Sequence, residues 1–173
     1  MDQLITAALL RLRRAATTWP DARGWGFAAS LGALTLAAMG LVGFSTGLYV
    51  LEPARLQGLP LRLLTVLIAP AIGEEAIFRG LLIPDRTETQ KPWILLLVAT
   101  AIFTAWHVAE VRTFLPAAAA MFTRPDFLAC AAILGLGCGV IRWRTGSLWP
   151  GVALHWLMVT IWQTWLGGFM VGA

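Results

Sequence analysis

The sequence predicts an all-α protein: a polytopic transmembrane helix bundle of about five to six spans, preceded by an N-terminal amphipathic helix. Three observations carry that prediction. Hydrophobic residues make up 58% of the chain and charged residues 13%, with a mean hydropathy of +0.75; a soluble domain is nearer half apolar and a quarter charged. The apolar residues come in long blocks, several close to the roughly 20 residues that a spanning helix needs. The nine Trp suit interfacial belts and helix packing.

The elements follow in order. Residues 1–26 form an interfacial segment. Over 1–21, Leu4, Ala8, Leu9 and Leu12 share one helical face, and Arg11, Arg13 and Arg14 gather at the far end. That is the pattern of a helix lying among lipid headgroups. The basic cluster follows the first apolar stretch instead of preceding it, which argues against a cleavable signal peptide. Residues 27–173 form the transmembrane domain. Its first span, 27–50, is uncharged and contains Gly43-x-x-x-Gly47, a spacing that allows close helix approach. A polar connector, 51–60, carries Glu52, Pro53 and Arg55 to a second span at 61–83. The loop 84–92 is charged (Asp85, Arg86, Glu88, Lys91), and a third span covers 93–109. The stretch 110–126 is a connector whose apolar run, 114–122, is too short to cross and reads as re-entrant or interfacial. A fourth span, 127–141, has Gly135, Gly137 and Gly139 for tight packing. A basic turn at 142–146 leads to a fifth span, 148–171, which holds His155. Cys130 and Cys138 match no metal or redox spacing and read as small apolar helix residues.

All but one of the 13 basic residues are Arg, and the formal charge is +4. No basic patch interleaved with aromatics lies on a polar surface, so nucleic acid is not an expected partner; the lipid bilayer is. With five spans, one set of loops holds Arg11, Arg13, Arg14, Arg23, Arg86, Lys91, Arg142 and Arg144. The other holds Arg55, Arg62, Arg112 and Arg124. The excess of positive charge marks the inner side, placing the N-terminus in the cytoplasm. A composition rich in Ala, Arg and Trp and almost free of Lys suits a bacterial plasma membrane.

The chemistry-bearing stretch is Gly73-Glu74-Glu75-Ala76-Ile77-Phe78-Arg79-Gly80. An ionisable group in a membrane segment is costly and is a functional-site hypothesis by default. Glu75 and Arg79 are four apart, so on an α-helix they share a face and can pair. Glu74 lies about 100° round the helix from Glu75, without a local partner. One acid held by an arginine beside one left free suits a general base. A structural ion pair with a spare carboxylate is the competing reading. His107 and His155 are the only histidines, each in an apolar segment of its own. Two Glu and two His on three helices can converge to polarise a water: a carboxylate takes its proton, one imidazole orients it, and a second donates to the developing oxyanion. Zinc held by Glu74, His107 and His155 is the alternative chemistry, although the His-Glu-x-x-His signature is absent. No Ser stands in a Gly-x-Ser-x-Gly context, so a nucleophilic Ser or Cys is not supported, and no other cofactor is expected.

These motifs resemble the CPBP superfamily: type II CAAX prenyl endopeptidases, bacteriocin-processing proteins and abortive-infection membrane proteins. Its pattern is Glu-Glu-x-x-x-Arg, then Phe-x-x-x-His, then a distal His-x-x-x-Asn. Glu74-Glu75-Ala76-Ile77-Phe78-Arg79 matches the first, Phe103-Thr104-Ala105-Trp106-His107 the second, and His155 begins the third, so the resemblance covers about 61–165. It implies a glutamic-type intramembrane endopeptidase acting on a peptide or protein, a lipidated chain or a leader peptide among the options. Glu74 would activate water with help from His107, Glu75 and Arg79 would support it, Phe103 would orient His107, and His155 with the motif Asn would form the oxyanion hole. The position of that Asn is Val159, and the chain has no Asn. Losing one oxyanion donor costs on the order of 10²- to 10³-fold in rate. Thr160, Trp162 and Gln163, on the same segment, are the candidate replacements. A non-catalytic immunity or scaffolding protein of the same family is the alternative that Val159 suggests.

Overall fold

The computed structural model describes residues 2–169, and within them it is all-helical. Helix α1 spans Asp2–Thr17 and α2 Ala22–Thr46, with the Asp21 carboxylate capping α2 by accepting from the Gly24 amide. Next comes α3, Leu59–Val66, which runs without a break into two π-helical segments, Leu67–Glu74 and Ala76–Leu81. Helices α4, Trp93–Thr113, and α6, Pro125–Thr145, flank a 3₁₀ turn at Pro116–Ala118 and a one-turn α5, Ala119–Phe122. Helix α7 is Trp149–Trp165. The expected end of the fifth span at residue 171 lies outside the described residues.

Three of these helices, α2, α4 and α6, are long and apolar enough to cross a membrane. The chain is an integral membrane protein. The remaining expected spans differ in kind. The stretch 59–81 is continuous but changes winding half-way, and α7 has 17 residues. The run 114–122 becomes the 3₁₀ turn and α5, consistent with its shortness.

Helix α6 is the centre of the bundle, about twice as buried as α2 or α4. Helices α2, α4 and α7 pack around it. Its glycines make this possible. A Cβ on Gly137 would come within 2.4 Å of the Thr35 hydroxyl on α2, and one on Gly139 within 2.9 Å of Leu96 on α4. The outward faces of α2 and α4 carry Leu34, Leu41, Ile94 and Leu97, all exposed, as expected where lipid is the solvent.

Two expectations need correcting. The motif stretch is not a plain α-helix. Pro70 lies inside it, and its missing N–H cannot close an i→i−4 bond. The chain around it winds in wider i→i−5 turns, a feature common at functional sites. The third and fourth segments are also longer than their apolar runs, because helix continues through Glu110 and Arg112 on α4 and through Arg142 and Arg144 on α6. Gly146, at φ 71°, ends α6 in a left-handed cap that L side chains rarely adopt.

Helix α1 does more than cover the surface. Ala15 is fully buried beside Ala71, Leu148 and Val152, and Leu12 lies where a Cβ on Gly80 would come within 2.5 Å. Arg11 donates to the Leu81 carbonyl and, with Arg14, binds the Glu88 carboxylate at 3.0 and 3.3 Å. The helix is thereby docked against the back of the motif segment.

Candidate active site

The π-helical winding presents Glu74 and Glu75 to α7 and α4. Glu75 is fully buried, and its Oε1 lies 3.1 Å from Arg79 Nη1 and 3.0 Å from His155 Nδ1. The i,i+4 pair expected from spacing is thus present and has a third member from α7. Charge-assisted contacts of this kind offset the cost of burying both ions. Arg79 also stacks its guanidinium over the Phe103 ring at 4.0 Å. Gly135 leaves room for this: a Cβ there would meet Phe103 at 2.9 Å and Arg79 at 3.1 Å. Gly151 does the same for Glu75, whose Oε2 would stand 3.1 Å from a Cβ.

Glu74 is placed differently. Its side chain keeps 13% of its surface, and Oε2 lies 3.8 Å from His155 Nε2, beyond hydrogen-bond length. Oε2 has no hydrogen-bond partner among the described residues. The two nitrogens of His155 therefore face two carboxylates, Glu75 closely and Glu74 across a gap. An imidazole beside the buried Glu75 carboxylate donates from Nδ1, which leaves Nε2 as the nitrogen toward Glu74.

His107 is held from α4. Its Nδ1 lies 3.0 Å from the Phe103 carbonyl, one turn back. A carbonyl only accepts, so Nδ1 carries the proton and Nε2 is the basic nitrogen. The ring is fixed by edge-on contacts with Phe103 at 4.9 Å, Phe127 at 5.3 Å and Phe122 at 5.6 Å. Phe103 is thus the hub: it carries the Arg79 guanidinium, holds His107 through its carbonyl and ring, and packs against Phe78 at 5.3 Å.

A cavity of about 1530 Å³ brings the parts together. Glu74, His107, His155, Phe103, Val159 and Gln163 all line it, whereas Glu75 and Arg79 do not. Val159 contributes only an apolar wall beside Trp162 and Gln163. Trp162 is 7% exposed, and among the described residues neither its indole N–H nor the Thr160 hydroxyl has a hydrogen-bond partner; Thr160 does not line the cavity. Sequence reasoning missed Glu110, Trp106, Phe122 and Phe127, which also line it. A signal for Glu110 existed: it stands three residues after His107 with no Gly or Pro before Pro116 to end the helix. Among the described residues, no three of His, Cys, Asp and Glu come together as a metal-holding set. Cys130 and Cys138 are free and buried in helix contacts, as small apolar residues would be.

A family model for type II CAAX prenyl endopeptidases, Rce1-like, matches residues 56–161. The chain belongs to this family. The match runs from the connector before α3 into α7, and so takes in Glu74, Glu75, Arg79, Phe103, His107, His155 and Val159, but stops just short of Trp162 and Gln163. The family is one of membrane proteases, which supports a peptidase of CAAX type. Comparison with individual curated proteins and with solved structures gave no match.

Proposed function

We propose that the protein is a multi-pass intramembrane endopeptidase in which Glu74 activates the hydrolytic water. The observation that carries this reading is the division of labour between adjacent carboxylates. Glu75 is fully buried with its Oε1 shared by Arg79 and His155, while Glu74 lines the cavity with no partner within hydrogen-bond length of its Oε2 among the described residues. Glu74 takes one proton of a water whose other proton is held by the basic Nε2 of His107. The water oxygen attacks the scissile carbonyl carbon, and the π electrons move onto the carbonyl oxygen. Collapse re-forms the C=O bond and breaks the C–N bond, and the proton on Glu74 passes to the leaving nitrogen. Glu75 and Arg79 are positioning residues: they hold His155, which in turn faces Glu74. On α7 the oxyanion is served by Trp162 or Gln163, which line the cavity where Val159 offers no donor.

The substrate is a peptide segment entering from the bilayer, a lipidated chain or a leader peptide. The N-terminus is cytoplasmic, on the loop charges set out above, and the membrane a bacterial plasma membrane, on the composition. Full-length protein in lipid nanodiscs should cleave a membrane-delivered peptide, and Glu74→Gln should lower kcat by roughly 10²- to 10⁴-fold, the share of general base catalysis. Cleavage by Glu74→Gln at the wild-type rate would remove Glu74 from the mechanism.

Val159 favours a second reading, a non-catalytic membrane partner of the same fold. In that case a biological phenotype survives Glu74→Gln but not a packing change at Gly139. A zinc peptidase using Glu74, His107 and His155 is the third, and activity that persists after exhaustive chelation disposes of it.

A further inference from the structure

Glu110 is the charge on the cavity wall that the mechanism does not use. It is half-buried, in the last turn of α4, one turn beyond His107. It lines the same cavity as the Glu74 carboxylate. Among the described residues no cation is paired with it. The two arginines that line the same cavity are engaged elsewhere. Arg55 binds the Glu52 carboxylate and the Gly168 carbonyl, and Arg62 donates to the Arg55 carbonyl.

Three physical terms therefore oppose a carboxylate at this place: partial burial within a membrane protein, the negative end of the α4 dipole, and a second carboxylate lining the same cavity. A cation arriving in the cavity would relieve all three. Three residues of α-helix separate Glu110 from His107 by about 4.5 Å along the axis. An extended peptide advances about 3.3 Å per residue. A side chain that meets Glu110 while the scissile bond lies at His107 therefore belongs to a residue one or two positions from that bond.

We infer that Glu110 is a specificity-determining residue of the cleavage site, and that the preferred substrates are apolar peptides with a Lys or Arg one or two residues from the scissile bond. The inference rests on the peptidase reading above and names its substrate class. The ion pair forms between a half-buried carboxylate and a substrate side chain leaving water, so it discriminates charge as well as adding affinity.

The test uses full-length protein in nanodiscs and a set of quenched-fluorescence apolar peptides that differ at one position, Lys, Gln or Glu, walked from two residues before the central bond to two after it. Cleavage is measured as kcat/KM for wild type, Glu110→Gln and Glu110→Lys, and binding of the same peptides is measured on Glu74→Gln alone and combined with each Glu110 change. At one position wild type should favour Lys over Glu by about tenfold or more. Glu110→Gln should level that ratio and Glu110→Lys should invert it. Should Glu110→Lys fail to fold, the levelling by the near-isosteric Gln variant decides. A Lys-to-Glu ratio unchanged by the Glu110 substitutions, in cleavage and in binding, overturns the inference. Its failure is separable from that of the peptidase reading: Glu74→Gln inactive with an unaltered ratio sinks Glu110 only, whereas Glu74→Gln fully active sinks the reading on which it rests.

Discussion

Of the places where arginine meets glutamate among the described residues, the innermost and the one that tethers α1 do opposite work. Arg79 and Glu75 are 1% and 0% exposed, joined by His155 and covered by Phe103. Arg11, Arg14 and Glu88 sit at the bundle edge, with Arg11 and Glu88 each keeping about a fifth of their side-chain surface and Arg14 about half. The contacts are of nearly equal length, between 3.0 and 3.3 Å. Distance therefore says little about what each cluster is for; the surrounding medium decides. Without water, each charge of the inner cluster depends on its partner, and so the cluster can hold an imidazole in one place beside Glu74. At the edge, water and salt compete for every contact, and the cluster can only help to tether α1.

The largest expected effect comes from breaking the inner cluster on one side. Arg79→Leu leaves Glu75 buried against His155 alone and should destabilise the protein by about 3–5 kcal/mol, the cost of stranding a buried charge. The double change Arg79→Leu with Glu75→Leu should recover much of that stability, since apolar replacement of a whole buried pair is often neutral. Activity should not return with it, because His155 then has no anchor. Thermal unfolding in detergent checks the first part and peptide cleavage the second. Stability that falls further in the double variant than in the single one would contradict the account of this cluster.

A smaller effect tests how the inner cluster is enclosed. Gly135→Ala places a methyl group 2.9 Å from Phe103 and 3.1 Å from Arg79. Overpacking of this kind costs about 1–3 kcal/mol, and Phe103 carries both His107 and the guanidinium. Unfolding should shift accordingly, and kcat should fall more than KM rises, since Phe103 holds His107 through its carbonyl and ring. Gly26→Ala is the control: nothing lies within 4 Å of its added methyl group, and both measurements should stay at wild-type values.

What could be read before any coordinates follows the same contrast. Charges inside an apolar run stand out because the run defines the medium, so Glu74, Glu75, Arg79, His107 and His155 were visible, as was the Glu75–Arg79 pair, which depends only on helix spacing. The attachment of His155 to Glu75 was not, because it depends on which face α7 turns to the motif segment. That orientation is settled by packing, for instance by the Trp156 indole donating to the Leu63 carbonyl at 2.9 Å. The π winding was hidden for another reason: spacing arguments assume 3.6 residues per turn, and Pro70 changes the winding locally. Glu110 was hidden by the very rule that exposed the motif. The apolar run stops at Ala109, so the charge that follows reads as the end of the segment, although the helix continues to Thr113. The docking of α1 falls between these cases: its apolar face was legible, but that face meets Ala71, Leu148 and Gly80 as well as the membrane edge.

The smallest expected effect belongs to the outer cluster. Glu88→Gln removes the partner of Arg11 and Arg14 but leaves Arg11 its bond to the Leu81 carbonyl. It also leaves in place the burial of Ala15 and the Trp149 indole bonded to the Ala16 carbonyl at 2.9 Å. Pairs as exposed as these contribute about 0–1 kcal/mol each, so the loss should be near or below 1 kcal/mol. It should also shrink further in high salt, where the Debye length falls from about 10 Å at 0.1 M to about 3 Å at 1 M. The loss caused by Arg79→Leu should hardly respond to salt, because ions do not reach the inner cluster. Unfolding of both variants at the two salt concentrations sets the clusters side by side. If the Glu88→Gln loss is as large and as insensitive to salt as that of Arg79→Leu, then the bundle edge is as dry as its centre, and α1 is a structural wall of the site and not its tether.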